Sequence, residues 1–134
     1  MLKKLKLFEN FDVKFSLFSV ISHEKAYKLC WRINKQLNIN LIRAKDLKVT
    51  NVGSFSRYEF VSENERIELF SNRAITGYLD SKEKNVSYFL KVEKPFFDKE
   101  KANFINKLKI VSEILLIFEV DLEKDINKKQ IFCD

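Results

Sequence analysis

The chain has 134 residues, 46% of them hydrophobic and 33% charged, a balance that excludes intrinsic disorder. No apolar run approaches the roughly 20 residues that a membrane-crossing helix needs. Lys and Arg number 25 against 19 Asp and Glu, giving a formal charge of +6, which draws anionic partners in general and singles out none.

A chain of this size reads as one domain, residues 1–134, able to bury about two-thirds of its unfolded surface without help from metals or disulfides. Met1 to Leu7 mixes Leu with Lys and lacks the apolar core and small-residue cleavage site of a signal peptide, so the expected location is cytoplasmic. Two widely spaced cysteines, Cys30 and Cys133, make no disulfide framework. The wealth of Lys, Asn, Ile and Phe, with only two Gly and one Pro, has two readings. One is an AT-rich coding drift. The other is a basic surface for RNA, although Arg is a better fork for phosphate than the Lys that dominates here.

Alternation places Val13, Phe15, Leu17 and Ser19 on one face of a strand from Asp12 to Ile21, with Lys14, Ser16, Phe18 and Val20 on the other. Ser22 then has the chemistry of a helix cap, and Glu24 suits the first turn. Ala26, Cys30, Ile33 and Leu37 form the apolar stripe of a helix ending near Asn38. Tyr27 and Trp31 flank the stripe one turn apart, with Trp31 expected in the core with one wet edge and Cys30 expected buried and inert.

Asp46 to Val49 is a short strand, Asn51 to Ser54 a turn, and Phe55 to Val61 a strand that pairs with Arg66 to Phe70 across Ser62-Glu63-Asn64-Glu65. Residues 72–84 form a loop in which Gly77 marks an unusual backbone angle. Val86 to Val92 is another strand, broken by Pro95. Asp98 caps a second helix whose seam is Ala102, Ile105 and Leu108. The run Ile114 to Phe118 is apolar on both faces, as a central strand would be, and residues 122–134 form a charged peripheral tail. The sum is an α+β protein. It has one antiparallel or mixed sheet with two helices packed on one face, a ferredoxin-like variant with an added hairpin.

Single His and scattered Cys give no metal-ligand spacing, lone glycines give no phosphate loop, and no cofactor is expected. His23, at a helix start, is either a structural hydrogen-bonding group or a general base. It sits about 10 Å along the helix from Cys30, too far to activate that thiol. Asn72-Arg73 follows a strand and precedes a loop, so Arg73 either forks a carboxylate or phosphate or serves the loop itself. Arg57 and Tyr58 lie on the hairpin, where an outward Tyr58 beside Arg57 would stack bases and an inward one would be core.

Several ordered segments resemble the IPExxxVDY family of small Bacteroidetes-type proteins. They are Ser22-His23, Tyr27-Lys28-Leu29-Cys30-Trp31 with Asn34, Asp46-Leu47, Phe55-Ser56-Arg57-Tyr58, Asn72-Arg73 and Gly77-Tyr78-Leu79, spread over roughly residues 10–120. The naming motif itself is replaced, by Asp80-Ser81-Lys82 and by Val86-Ser87-Tyr88. The resemblance implies no activity. The functional expectation is a non-enzymatic binding or protein-interaction module with an unknown protein partner and no membrane attachment. Its binding residues would be drawn from Arg57, Tyr58, Asn72, Arg73 and His23. An RNA-associated protein is the alternative, a small-molecule enzyme without a recognisable motif is the third reading, and a sheet edge offers a route to a homodimer.

Overall fold

The computed structural model describes residues 15–94 and 98–133, the side chains of 98 and 99 excepted. In chain order come β1 (Ser16–Ile21), α1 (Ala26–Leu37), β2 (Ile42–Val49), β3 (Gly53–Val61), β4 (Arg66–Ser71), β5 (Tyr88–Glu93), α2 (Asp98–Lys109), β6 (Leu116–Glu119) and α3 (Ile126–Phe132). The strands make one six-stranded sheet in the order β2-β3-β4-β5-β1-β6, with every neighbouring pair antiparallel. No helix among the described residues is long and apolar enough to cross a membrane.

Alternation along the strands divides the apolar side chains between two faces. On one face Phe18, Val20, Ile67, Leu69, Leu90 and Val92 meet α1 and α2 through Leu29, Cys30, Ile33 and Leu108. On the other, Leu17, Phe55, Phe70 and Phe89 meet Leu79, Val86, Leu122 and Phe132. Each fully buried Leu or Phe contributes about 1.5–3 kcal/mol. The second layer is α3 and the loop before β5. The residues expected as a peripheral tail therefore close the second face, with Leu122 and Phe132 buried. Phe132 packs edge-on against Phe70 and tilted against Phe89, at ring separations of 5.2 and 5.3 Å.

Two buried lysines fix α3 in place. Lys91 Nζ donates to the carbonyl of Phe132 at 2.6 Å, satisfying the end of the helix. At the start, Asp125 Oδ1 accepts from the Lys128 backbone N–H, and Lys128 Nζ reaches Asp125 Oδ2 at 2.9 Å and Asp80 Oδ2 at 2.7 Å. Glu83 is its third carboxylate partner.

The helices depart from the expected details. Helix α1 begins after Lys25, and Ser22 instead holds the preceding turn by accepting from the Glu24 N–H at 3.1 Å. Its buried side is Leu29, Cys30 and Ile33, which turns Trp31 outward to 52% exposure rather than into the core. At 3.6 residues per turn Trp31 stands about 140° around the axis from Ala26. In α2 the seam is Leu108 with Phe104 and Ile105, and Ala102 is exposed. Residues 12–14, Pro95 and the capping side chain of Asp98 lie outside the described residues.

Among the described residues the strand predicted as central is an edge. There β6 pairs with β1 alone, and Leu115, Leu116 and Phe118 are exposed at 56%, 51% and 39% while Ile117 is buried. Its apolar run says nothing of which strands flank it. The doubly covered strands are β1, β4 and β5. At the other edge, β2 carries Arg43, Lys45, Asp46 and Lys48 and a register shift between Ala44 and Leu47, both devices that discourage further pairing. Gly53 follows the β2–β3 turn at φ +152°, where a Cβ would lie 2.6 Å from Thr76 Oγ1. Gly77 does not have the unusual angle expected of it. A Cβ there would meet Val52 Cγ1 at 3.2 Å, so close approach explains this glycine.

Candidate functional site

Asn72 organises the loop that follows β4. Its side-chain amide donates to the carbonyls of Glu83 and Val86 at 3.0 and 2.9 Å, and its Oδ1 accepts from the Asp80 N–H at 2.8 Å. Its backbone bonds Ser87 and Leu79. A fully buried amide with both donors spent and its oxygen engaged is a structural pin rather than a ligand-binding group. The pinned loop folds back on itself, with Arg73 bridged to Tyr78 and the Ala74 N–H bonded to Gly77 O at 2.7 Å.

This loop forms one wall of an open trough of about 840 Å³ on the face that carries α1. The other walls are the start of β3, the end of β4 and the turn after β1. Ser54, Ser56, Ser71 and Ser87 line it with Arg73, Tyr78 and Lys84. Ser87 Oγ donates to the carbonyl of Ser22 and accepts from its N–H, at 2.8 and 3.0 Å, so this hydroxyl is spent on structure. Ser71 Oγ donates to the Arg73 carbonyl at 2.9 Å, and the Arg73 side chain is exposed. Tyr88 OH donates to the Glu24 carbonyl at 2.6 Å, and burial first, then the nearby Cys30, Tyr58 and Glu24, pushes its pKa up to about 12. It is a fixed donor and a poor acid near neutrality.

The electrostatics of the trough are cationic. Arg73 and Lys84 are exposed, and Lys84 Nζ lies 5.6 Å from the Tyr78 ring centre. The lining holds one carboxylate, Asp46, and Arg43 already pairs with it at 2.7 Å.

The remaining sequence-predicted residues lie elsewhere. Arg57 and Tyr58 are adjacent on β3 and point to opposite faces. Arg57 bonds Lys45 O at 2.9 Å and Glu68 Oε2 at 2.7 Å in a network with Glu59 and Arg66. Tyr58 is half-buried against the helix-side core, with Arg43 5.7 Å from its ring. They form no joint stacking surface. His23 is exposed next to Ser22 and does not line the trough. Cys30 is buried, and burial pushes its thiol up to about 12, far from a nucleophile's range. Among the described residues no three His, Cys, Asp or Glu side chains gather as a metal site.

Sequence reasoning found Arg73 and the loop that ends at Lys84, and missed the serines around them. Ser54 and Ser56 flank Phe55, and that alternation was the available signal for two hydroxyls on one face. No protein-family model matches the chain, and no curated protein matches it.

Proposed function

We propose that the protein is a binding module that takes an extended, carboxylate-bearing segment of a partner protein in this trough. One observation carries the reading. The Arg73 guanidinium is exposed at the trough wall and has no side-chain partner among the described residues. A guanidinium forks a carboxylate through two parallel hydrogen bonds. Lys84 supplies a second cation, and the Ser54 and Ser56 hydroxyls supply neutral donors beside it. The trough is open to solvent, which suits a chain passing through better than an enclosed small molecule.

Two finer points belong to the same proposal. The order β6-β1-β5-β4, with α1 and α2 on one face, fits a ferredoxin-like sheet extended by the β2–β3 hairpin. Kinship with the IPExxxVDY group rests on the ordered segments given above. In the replaced motif Asp80 is a buried partner of Lys128, which fits a structural role for that stretch.

The test is calorimetric titration with a peptide of alternating Glu and Ser, against its Gln-for-Glu counterpart. Binding of the Glu peptide alone is expected, weakened roughly tenfold or more by Arg73→Gln, as loss of a charged hydrogen bond requires. Equal binding of both peptides, or binding indifferent to Arg73→Gln, refutes the reading.

A further inference from the structure

Helix α1 carries a second exposed feature, far from chemically neutral. Tyr27 and Trp31 are 65% and 52% exposed, on the side turned away from the buried Leu29, Cys30 and Ile33. They stand one turn apart, about 6 Å along the axis. One cation sits on a ring and others lie close by along the chain. Lys35 Nζ lies 4.1 Å from the Trp31 ring centre, and Lys25 and Lys28 are exposed beside Tyr27. Arg32 completes a set of four cations, against two carboxylates, Glu24 and Glu113, that pair with Lys28 and Arg32.

From this arrangement we infer that the outer face of α1 is a stacking surface for single-stranded nucleic acid, with Tyr27 and Trp31 as platforms for bases and the lysines as phosphate contacts. Stacked rings within a basic track are how single strands are held without sequence preference. A groove-binding protein partner would require an aliphatic ladder at helical spacing, and lysine is depleted from protein interfaces. An interfacial lipid helix requires a broad apolar face, whereas the other side chains on this face are charged or are the polar Asn34 and Asn38. The surface is independent of the trough at Arg73.

Trp31 is the only tryptophan in the chain, so the site reports its own occupancy. The full-length protein is titrated with a short oligouridylate while Trp emission is followed. Saturable quenching is expected, weakening about 20-fold between 50 and 200 mM salt if three lysines meet phosphates. With a labelled oligouridylate read by anisotropy, Tyr27→Ala and Trp31→Ala each weaken binding about tenfold. Trp31→Phe retains most of it, and Lys48→Gln on the distant sheet edge changes it less than twofold. Far-UV circular dichroism checks that each variant is folded. Absence of quenching at low salt overturns the inference. So does binding unchanged in folded Tyr27→Ala and Trp31→Ala, or an emission change produced by anionic vesicles or by raising protein concentration and not by the oligonucleotide. None of these results bears on the peptide-binding trough.

Discussion

Replacing Lys128 by Met tests whether the C-terminal helix is part of the folded body. The ammonium is 3% exposed and lies 2.7 Å from Asp80 Oδ2, itself 3% exposed. Its other partners, Glu83 and Asp125, keep 39% and 33% of their surface in water and lose little when left alone. Asp80 has no such recourse, because its remaining polar contact is the Lys82 N–H at 3.0 Å. Removing one member of a buried pair costs about 3–5 kcal/mol, chiefly through the stranded charge. With a urea m-value of about 1.5 kcal/mol per M, the unfolding midpoint should fall by about 2–3 M. Adding Asp80→Asn removes the stranded charge, so the double variant should recover about 2 kcal/mol relative to additivity. The assay is urea unfolding followed by circular dichroism on wild type, both single variants and the double. A loss under about 1 kcal/mol for Lys128→Met, or strict additivity, would refute the buried pair and with it the docking of α3.

The same cluster sets a pH profile. Burial works to lower the Lys128 pKa, but hydrogen bonds to Asp80, Glu83 and Asp125 outweigh it and hold the group above its ordinary 10.5. This contribution is therefore complete below that value and is lost as alkali passes the raised pKa. Burial works to raise Asp125, but the Lys128 ammonium and backbone N–H hold it below its ordinary 3.8, so its contribution is present above 3.8 and is lost in stronger acid. Thermal melts across pH should show both limbs, and Lys128→Met should flatten them. Thiol titration with an aromatic disulfide at pH 8 should find Cys133 reactive in the native protein and Cys30 reactive only after denaturation; rapid native modification of both would contradict the burial of Cys30. Asn72→Ala strands two carbonyls and an N–H and should cost about 2–4 kcal/mol in urea unfolding; a cost below about 0.5 kcal/mol would mean the loop is not pinned there. Ser19 Oγ is buried with no hydrogen-bond partner among the described residues, so Ser19→Ala should raise the melting temperature by a few degrees, and a clear drop would show an unseen partner.

What the sequence revealed is what short-range pattern can encode. The alternation through β1, the Ser62–Glu65 turn of the β3–β4 hairpin and the apolar stripe of α1 depend on near neighbours, and each element lies within a few residues of its expected place. Position in the sheet depends on pairing between distant segments, and the apolar run at β6 reads alike whether one strand or two flank it. The tail was misread for a related reason. A helix rich in Lys, Asn and Gln looks solvated until Asp80 and the Phe132 carbonyl are seen to complete two buried lysines. The trough is assembled from the ends of β3, β4 and β5 and the turn after β1, so its serines are neighbours only once the sheet forms. The position of Trp31 beside the stripe predicts a core residue with one wet edge, whereas Leu29 fixes the rotation of α1 and turns the indole out.

A nitrogen–proton correlation spectrum of the labelled protein, recorded with increasing Glu–Ser peptide, reads the binding surface residue by residue. The predicted shifts gather on Ser54, Ser56, Ser71, Arg73, Tyr78 and Lys84 and vanish in Arg73→Gln. Shifts confined to another face of the sheet, with these six resonances unmoved at millimolar peptide, would contradict it.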